Sequence, residues 1–364
     1  MSDLKKTAFR DLHVEAGAKM VEFGGWDMPV QYKNGIVFEH NIVRNKVGVF
    51  DVSHMGEIEV KGNDAESFLN SITTNDVSKL TVGKAQYSAM LYEDGGIVDD
   101  LIIYKLPHYF MVVVNASNKD KDFDWMKKHF SGDVQLRDES DETSLLAVQG
   151  PLAEKTLQKL TSVDLSAIPY YGFEVGKLGG VDMYISRTGY TGEPGFEIYF
   201  FEQHSADIWK KVFEAGAEFG IEPVGLGCRD TLRTEMGYAL YGNDIDQTRN
   251  PLEAGLGWIT KFDKGDFIGK SSLEKIKADG LKKKLTGIVL DEKAIPRHLY
   301  EVVSEDGAVI GEVTSGTFSP SMEKGIAMAY LATEFAKEGT RVGVKIRNAV
   351  QMGTVTKFPF YKKK

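Results

Sequence analysis

The fold is decided by the stretch Gly95-Gly96-Ile97-Val98-Asp99-Asp100-Leu101-Ile102-Ile103-Tyr104. The run Ala85-Gln86-Tyr87-Ser88-Ala89-Met90-Leu91-Tyr92 precedes it, and both runs are rich in β-branched and aromatic residues. Between them, Asp94-Gly95 supplies the positive φ angles that a tight turn needs. The sequence therefore predicts a β-hairpin across these two runs.

Asp100 occupies an unusual position in this predicted hairpin. If Tyr92 pairs with Ile97, the period-two alternation of a strand puts Asp100 on one surface with Ile102 and Tyr104. A carboxylate among apolar neighbours loses hydration, which raises its pKa unless hydrogen bonds or a cation compensate. Asp100 is therefore a candidate functional residue. The alternative is an Asp that ends a turn or faces solvent.

Helices and further strand pairs are predicted on both sides of this hairpin. The predicted segments are helices at 36–47, 63–70 and 118–130, a strand at 109–115, a second hairpin that joins 182–187 to 196–200, and a Gly- and aromatic-rich loop at 23–29. Strands paired in hairpins, with helices between the groups, are typical of an α+β fold rather than of a doubly wound parallel sheet.

The pattern changes in the last quarter of the chain. Short strands at 285–290, 309–314 and 342–346 are separated by Gly and charged turns, which is typical of a small β-barrel. We therefore predict a first region over 1–274 and a barrel domain over 282–361. A chain of 364 residues is long enough for two or three domains.

The composition excludes several classes of protein. A net charge of −9 and a pI near 5.4 argue against a nucleic-acid-binding protein, which needs clustered Lys and Arg. The single cysteine, Cys228, leaves no partner for an intrachain disulfide. No run approaches the apolar length of a membrane span, and the start Met1-Ser2-Asp3-Leu4-Lys5-Lys6 lacks an apolar signal core. We expect a cytoplasmic protein that binds small molecules or proteins and no membrane.

Common catalytic and cofactor motifs are incomplete. Ser53 and His54 are adjacent in a predicted strand, so their side chains point to opposite faces and do not form a nucleophile–base pair. Gly225-Leu226-Gly227 lacks the third glycine of the dinucleotide fingerprint. No His pair has the helical spacing of metal ligands. The sequence therefore predicts no hydrolase triad, dinucleotide site or metal site.

Two charged side chains are candidates for ligand binding. Glu197 follows a Gly- and Pro-rich turn and lies in an otherwise apolar strand, where its carboxylate could accept two parallel hydrogen bonds from a flat ligand edge. A structural ion pair is the alternative. Arg229 shares a helical face with Arg233 and could anchor a ligand carboxylate. The alternative for Arg229 is a solvent-facing side chain.

Motifs over almost the whole chain resemble those of the T-protein family of the glycine cleavage system. The members of this family are aminomethyltransferases. The motifs that carry the resemblance are Gly25-Trp26-Asp27-Met28-Pro29, Phe50-Asp51-Val52-Ser53-His54-Met55-Gly56, Thr74-Asn75-Asp76, Gly95-Gly96-Ile97-Val98-Asp99-Asp100, Gln149-Gly150-Pro151, Ser186-Arg187-Thr188-Gly189-Tyr190-Thr191-Gly192-Glu193, Gly225-Leu226-Gly227-Cys228-Arg229-Asp230 and Thr314-Ser315-Gly316-Thr317-Phe318-Ser319-Pro320.

The resemblance implies a function and an architecture. The enzyme would take the aminomethyl group from the lipoyl arm of the H-protein, release ammonia and convert tetrahydrofolate to 5,10-methylenetetrahydrofolate. Tetrahydrofolate would be a co-substrate, with no metal and no covalently bound cofactor. The family fold is three domains in a cloverleaf around a central folate channel. The first domain is discontinuous in sequence, the hairpin domain covers roughly 51–140 here, and the last domain is a small barrel.

The resemblance also implies the residues of the site. Its catalytic aspartate falls on Asp100, the second Asp of the G-G-I-x-D-D motif. The expected folate contacts are Met55, Tyr87, Tyr104, Asn115, Tyr170 (or Tyr171 beside it), Tyr190, Glu197 and Arg229. The flat ligand edge proposed for Glu197 would then be the amino-pyrimidinone edge of the pterin.

Related activities are left open. Folate-binding proteins that support iron–sulfur enzymes carry a K-G-C-x-x-G-Q motif. Asp266 stands where their cysteine would lie, which disfavours this non-catalytic class. Dimethylglycine and sarcosine dehydrogenases share the folate half but add a flavin domain, for which this chain has no room. A folate-dependent demethylase remains an alternative to the aminomethyltransferase.

Overall fold

The structure is a computed structural model that describes residues 4–363. Met1, Ser2 and Asp3, which belong to the segment predicted to lack a signal core, lie outside it, as does Lys364. The chain divides into two compact units. Unit 1 contains the residues up to Leu69, Val77–Tyr87 and Leu101–Arg229. Unit 2 contains Asn70–Asp76, Ser88–Asp100 and the residues from Asp230 onward. The division between the units therefore falls within individual strands and helices of the chain.

Helices and strands alternate in groups along the described chain. The α-helices of residues 4–363 are α1 (Arg10–Glu15), α2 (Ile36–Asn45), α3 (Ala65–Ile72), α4 (Lys119–His129), α5 (Ala153–Gln158), α6 (Ser205–Gly216), α7 (Leu226–Met236) and α8 (Lys270–Asp279). The strands are β1 (Lys19–Phe23), β2 (Trp26–Gln31), β3 (Gly48–Asp51), β4 (Gly56–Lys61), β5 (Lys84–Leu91), β6 (Ile97–Lys105), β7 (Phe110–Val114), β8 (Gln135–Asp138), β9 (Thr143–Gln149), β10 (Phe173–Leu178), β11 (Val181–Ser186), β12 (Gly195–Phe201), β13 (Glu222–Pro223), β14 (Lys283–Leu290), β15 (Glu301–Val303), β16 (Val309–Ser319), β17 (Lys324–Ala332), β18 (Arg341–Ile346) and β19 (Ala349–Thr356).

The strands of the described residues form four sheets, and their pairs are mostly antiparallel. Their orders are β1–β2, β5–β6–β7–β4–β8, β10–β11–β12–β9–β3–β13 and the closed barrel β14–β17–β16–β15–β18–β19. The predicted α+β fold and the predicted C-terminal barrel are confirmed. The two predicted hairpins are also confirmed, since β5 neighbours β6 and β11 neighbours β12. No helix of the described residues is long and apolar enough to cross a bilayer.

The turn between β5 and β6 closes one residue earlier than expected. The Tyr92 N–H donates to the Gly96 carbonyl at 2.8 Å, and the Gly95 N–H donates to the Tyr92 carbonyl at 3.0 Å. Gly95 has a φ of 91°, which suits a three-residue loop that ends on a left-handed residue. The predicted pairing of Tyr92 with Ile97 is therefore wrong. Alternation along β6 is unaffected and still places Asp100 on the same face as Tyr104.

The predicted loop at 23–29 is also wrong, because most of it is strand. β1 pairs with β2, with Phe23 opposite Trp26. Gly24 and Gly25 have φ values of 58° and 87°, the left-handed pair that a two-residue hairpin turn requires. The abundance of glycine and aromatic residues suggested a loop, whereas the two glycines occupy only the turn.

One face of the six-stranded sheet of unit 1 packs on an apolar core. Along β12, Phe196, Ile198 and Phe200 are buried in a core with residues of α5 and α6. Because side chains alternate in a strand, Glu197 and Tyr199 lie on the opposite face. The apolar residues therefore anchor β12 and fix the direction of these two polar side chains.

A buried ion pair joins α7 to the barrel region within unit 2. The Arg233 guanidinium lies 2.6 Å from Asp244 Oδ2, and both side chains are almost fully buried. Thr314 Oγ1 and Ser315 Oγ donate to the same carboxylate at 2.5 and 2.9 Å. The Thr-Ser-Gly-Thr motif of the sequence therefore supplies hydroxyl groups for a structural cluster, and Arg233 is occupied by it.

Candidate functional site

A chain of hydroxyl groups leads to Glu197 inside unit 1. The Tyr199 hydroxyl lies 3.0 Å from the Tyr104 hydroxyl, and that hydroxyl lies 3.3 Å from Thr188 Oγ1. Thr188 donates a hydrogen bond to Glu197 Oε2. A carboxylate only accepts hydrogen bonds, so the Thr188 proton points to Glu197 and the two tyrosine protons can point the same way.

The two tyrosines in this row of hydroxyl groups, Tyr104 and Tyr199, are neutral donors. Tyr104 and Tyr199 are fully buried, and their rings meet edge to face with centroids 5.6 Å apart. Burial raises the pKa of both Tyr104 and Tyr199. Neither hydroxyl ionises at physiological pH, so both keep a proton to donate.

Glu197 lies near a cation and an aromatic face. The Arg229 guanidinium lies over the Tyr190 ring, 4.4 Å from its centroid. Burial raises the pKa of Glu197, while the Thr188 hydrogen bond and the charge of Arg229 act in the opposite direction. An acceptor carboxylate, a guanidinium and a partly buried aromatic ring in one region of unit 1 are the groups that a polar, flat, aromatic ligand needs.

The loop that presents Tyr190 is restrained by buried hydrogen bonds. Arg44 donates to the Thr191 carbonyl at 2.7 Å, and the Thr191 hydroxyl donates to the Gln149 side chain at 2.9 Å. A Cβ atom at Gly189 would lie 2.1 Å from the end of the Gln149 side chain, which would have to move away from the Thr191 hydroxyl. The Thr-Gly-Tyr-Thr-Gly motif therefore forms a fixed platform for the ring of Tyr190.

The start of α7, which carries Arg229, is fixed in a similar way. The Glu39 carboxylate accepts from the Gly225 N–H at 2.9 Å and from the Tyr32 N–H at 2.5 Å. A Cβ atom at Gly225 would lie 2.6 Å from the backbone of Val30. Close backbone packing thus requires glycine before the helix and sets the position of Arg229.

The aspartate of the Asp-Val-Ser-His motif is paired with a histidine of α1, and the histidine of the motif is buried. Asp51 pairs with His13 at 3.0 Å, and His13 contacts the Tyr32 hydroxyl at 2.9 Å on its other nitrogen. His54, which precedes Met55, is buried. Its burial, and to a smaller extent the positive charge of Arg229, lowers the pKa of His54 to about 4. Its imidazole is therefore neutral near Arg229.

The other residues predicted for the site lie at several places in the fold. Met55 lies between β3 and β4, Tyr87 lies on β5 and Asn115 follows β7; all three are partly buried. Tyr170 is 64% exposed, whereas Tyr171 is partly buried. Asp100 lies on β6 in unit 2 and is partly buried. The interactions described above join Tyr104, Tyr190, Glu197 and Arg229, and the roles of all the predicted residues stay predictions.

Sequence reasoning missed Thr188 and overestimated Arg233. Thr188 gave little signal, because its importance depends on which carboxylate the loop brings to it. Tyr199 could have been selected from the sequence, since it lies two residues after Glu197 on the same strand face. Arg233 was predicted to share a ligand-binding face with Arg229, but its guanidinium is held by Asp244. The prediction of a ligand anchor is therefore kept for Arg229 alone.

Comparison with known proteins gives the family of the chain. Residues 9–264 match the family described as the GCVT N-terminal domain, and residues 283–362 match the glycine cleavage T-protein C-terminal barrel domain. The chain is 52% identical over 362 residues to an aminomethyltransferase of Flavobacterium psychrophilum, covering 99% of this chain and 100% of that relative. It is 53% identical over 363 residues to one of Chloroherpeton thalassium, covering 99% of each.

A solved structure agrees with these sequence matches. The glycine cleavage system aminomethyltransferase of Bartonella henselae superposes with a TM-score of 0.93 and is 34% identical, covering 99% of this chain and 98% of that one. The agreement extends over both the N-terminal region and the barrel. The chain belongs to the glycine cleavage T-protein family of aminomethyltransferases.

Proposed function

We propose that this protein transfers a one-carbon unit from the aminomethyl-dihydrolipoyl arm of the H-protein to tetrahydrofolate. The products are ammonia, the dihydrolipoyl H-protein and 5,10-methylenetetrahydrofolate. The family supports an aminomethyltransferase, and the site geometry supports tetrahydrofolate as the acceptor. The observation that carries the proposal is the Glu197 carboxylate, held as a hydrogen-bond acceptor by Thr188.

The pterin edge of tetrahydrofolate fits this carboxylate. An amino-pyrimidinone edge has adjacent N–H donors in one plane, and a carboxylate accepts two such donors in parallel. Thr188 donates to Oε2 of Glu197, which orients the carboxylate, and each carboxylate oxygen has a further lone pair for a ligand. Arg229 and the Tyr190 ring would bind the anionic and aromatic parts of the same ligand.

Glu197→Gln should weaken tetrahydrofolate binding by about 10- to 100-fold, because a hydrogen bond to a charged group contributes roughly 1.5–3 kcal/mol. The amide keeps the shape of the side chain but replaces one acceptor oxygen with a donor. Anaerobic calorimetric titration measures the dissociation constant. Glu174→Gln is a matched control, since Glu174 is exposed on the same sheet. Equal affinity in both variants would contradict the proposed contact.

Asp100 is proposed to act at the reacting carbon. When the C–N bond to the departing ammonia weakens, positive charge develops on the methylene carbon that the folate nitrogen attacks. A fixed carboxylate stabilises this charge, and electrostatic stabilisation of this kind is often the largest contribution to catalysis. We assign that role to Asp100 on the resemblance of its motif.

The deciding experiment measures ammonia release from aminomethylated H-protein. The proposal expects rapid release that depends on tetrahydrofolate, with one 5,10-methylenetetrahydrofolate formed per ammonia. Parallel assays with dimethylglycine and sarcosine test the alternative folate-dependent demethylase. Activity on either amine, without activity on the H-protein, would replace the proposed function with demethylation. Tetrahydrofolate binding without any turnover would favour the non-catalytic alternative.

A further inference from the structure

Helix α2 carries two buried charged side chains, Glu39 and Arg44, which are 1% and 3% exposed. Because they are five residues apart, their side chains leave the helix about 140° apart around its axis and about 7.5 Å apart along it. A charged side chain is seldom buried unless hydrogen bonds and opposite charges replace its lost hydration. The partners of Glu39 and Arg44 therefore identify the elements that α2 holds in place.

Glu39 holds the first turn of α7. Its carboxylate accepts a hydrogen bond from the Gly225 N–H at 2.9 Å, and the Gly225 carbonyl accepts one from the Arg229 N–H at 3.1 Å. A negative charge at the start of a helix also interacts favourably with the helix dipole. The first turns of the two helices pack closely, since a Cβ atom at Gly227 would lie 2.5 Å from the Ile36 side chain. The N-terminal half of α2 thus fixes the backbone that carries Arg229.

Arg44 holds the loop that presents Tyr190. Its Nη1 atom donates to the Thr191 carbonyl at 2.7 Å and lies 3.2 Å from Glu193 Oε1. The side chains of Arg44 and Glu193 are both almost fully buried, so water screens their charges little. Thr191 directly follows Tyr190 in the chain. The backbone beside the Tyr190 ring is therefore fixed to the C-terminal end of α2.

The two elements held by α2 meet where the Arg229 guanidinium lies over the Tyr190 ring, 4.4 Å from its centroid. A cation–ring attraction is too weak to align two segments that are distant in sequence. The backbone on each side of the contact must already be in position, and each backbone is anchored to the same helix.

We propose that α2 is a positioning element for tetrahydrofolate binding, with Glu39 and Arg44 as its two positioning residues. Glu39 places the guanidinium of Arg229, and Arg44 places the ring of Tyr190. The pair then exists before the ligand arrives, so binding costs less ordering of side chains. This inference rests on the proposed function, in which Arg229 and Tyr190 bind tetrahydrofolate.

Tetrahydrofolate affinity measures the effect of each positioning residue. In Glu39→Gln the amide N–H group faces one of the two backbone N–H groups that the carboxylate binds, so one hydrogen bond is lost. Arg44→Lys keeps the charge opposite Glu193, but its side chain is one bond shorter and should lose the contact with Thr191. Each substitution should raise the dissociation constant and the KM for tetrahydrofolate about 2- to 10-fold, the value of one hydrogen bond. The kcat at saturating tetrahydrofolate should stay unchanged.

Double-mutant cycles distinguish positioning from general stabilisation. If Glu39 acts through Arg229, Glu39→Gln should cause no further loss of affinity in an Arg229→Ala background. In the same way, Arg44→Lys should cause no further loss in a Tyr190→Leu background. A residue that only stabilised the fold would change the dissociation constant by the same factor in both backgrounds.

Nuclear magnetic resonance tests the same geometry without ligand. In protein with isotope-labelled arginine, the Nε–H resonance of Arg229 is identified by its loss in Arg229→Ala. The guanidinium lies over the Tyr190 ring, and the ring current shifts the resonances of nearby protons, so Tyr190→Leu should move this resonance. Glu39→Gln and Arg44→Lys should move it in the same direction, because the guanidinium and the ring then separate.

Asn45→Ala is the matched control on α2. Asn45 is exposed, directly follows Arg44 and donates to the Asn41 carbonyl of the same helix at 2.9 Å. Its substitution should change neither the affinity nor the Arg229 resonance. The inference is overturned if Glu39→Gln leaves that resonance at its wild-type position, or weakens binding equally with and without the Arg229 side chain. If the wild type itself does not bind tetrahydrofolate, the proposed function fails, whereas the resonance still tests positioning by α2.

Discussion

Asp100→Asn should lower the rate of ammonia release about 100- to 1,000-fold, the effect of removing one preorganised charge-stabilising group from an active site. The amide keeps the volume of the side chain and removes its negative charge. The affinity for tetrahydrofolate should change little, because the predicted contacts with the pterin are made by Glu197. Single-turnover assays with aminomethylated H-protein, together with titration of tetrahydrofolate, measure the two quantities separately.

Asp94→Asn is the control for this prediction. Asp94 belongs to the same hairpin, is exposed, and accepts a hydrogen bond from the Gly96 N–H at 2.9 Å, which an asparagine oxygen also does. The substitution removes the same charge from the same hairpin and should leave turnover unchanged. Near-normal turnover of Asp100→Asn would refute the catalytic assignment. A large loss in both variants would indicate a general effect on the hairpin.

Asp244→Ala should lower the free energy of unfolding by about 3–5 kcal/mol, since it leaves a buried guanidinium without its charge partner. Asp244 is fully buried and accepts hydrogen bonds from Arg233, Thr314 and Ser315. A second carboxylate on the guanidinium, that of Asp230, is 48% exposed and compensates poorly for the lost charge. Differential scanning calorimetry measures the change.

Two further variants make this stability prediction specific. Asp291→Ala breaks the exposed pair with Arg341, 2.6 Å long, and should cost no more than about 1 kcal/mol. Combining Asp244→Leu with Arg233→Met removes both buried charges and should recover much of the lost stability. If Asp244→Ala were no worse than Asp291→Ala, the buried cluster would not stabilise the protein.

The parts of the fold that could be predicted from the sequence depend on local chemistry. The hairpin of β5 and β6 follows from its Asp-Gly turn and its β-branched strands. The helices α2, α3 and α4 follow from apolar periodicity and lie within two residues or so of their predicted ends. Glu197 could be selected because a carboxylate breaks the apolar pattern of its strand. In each case the deciding neighbours are within a few residues.

The parts that could not be predicted depend on residues far apart in sequence. Thr188 matters because its hydroxyl donates to Glu197, nine residues away in sequence. Arg233 is structural because Asp244 lies beside it. The pairing of Tyr92 with Gly96 was missed because a single left-handed glycine shifts the register by one residue. Burial and partner identity are not contained in a local pattern.

The closed barrel has a consequence for protein synthesis. β14 pairs with β19 through contacts such as Leu290 with Gly353 and Gly287 with Thr356, so one seam joins the first and last strands of the barrel. A ribosome must therefore translate the chain as far as β19 before this seam can form. Until then the nascent β14 has an open edge that can pair with other chains. Chaperone binding to the emerging C-terminal region should matter most in that interval.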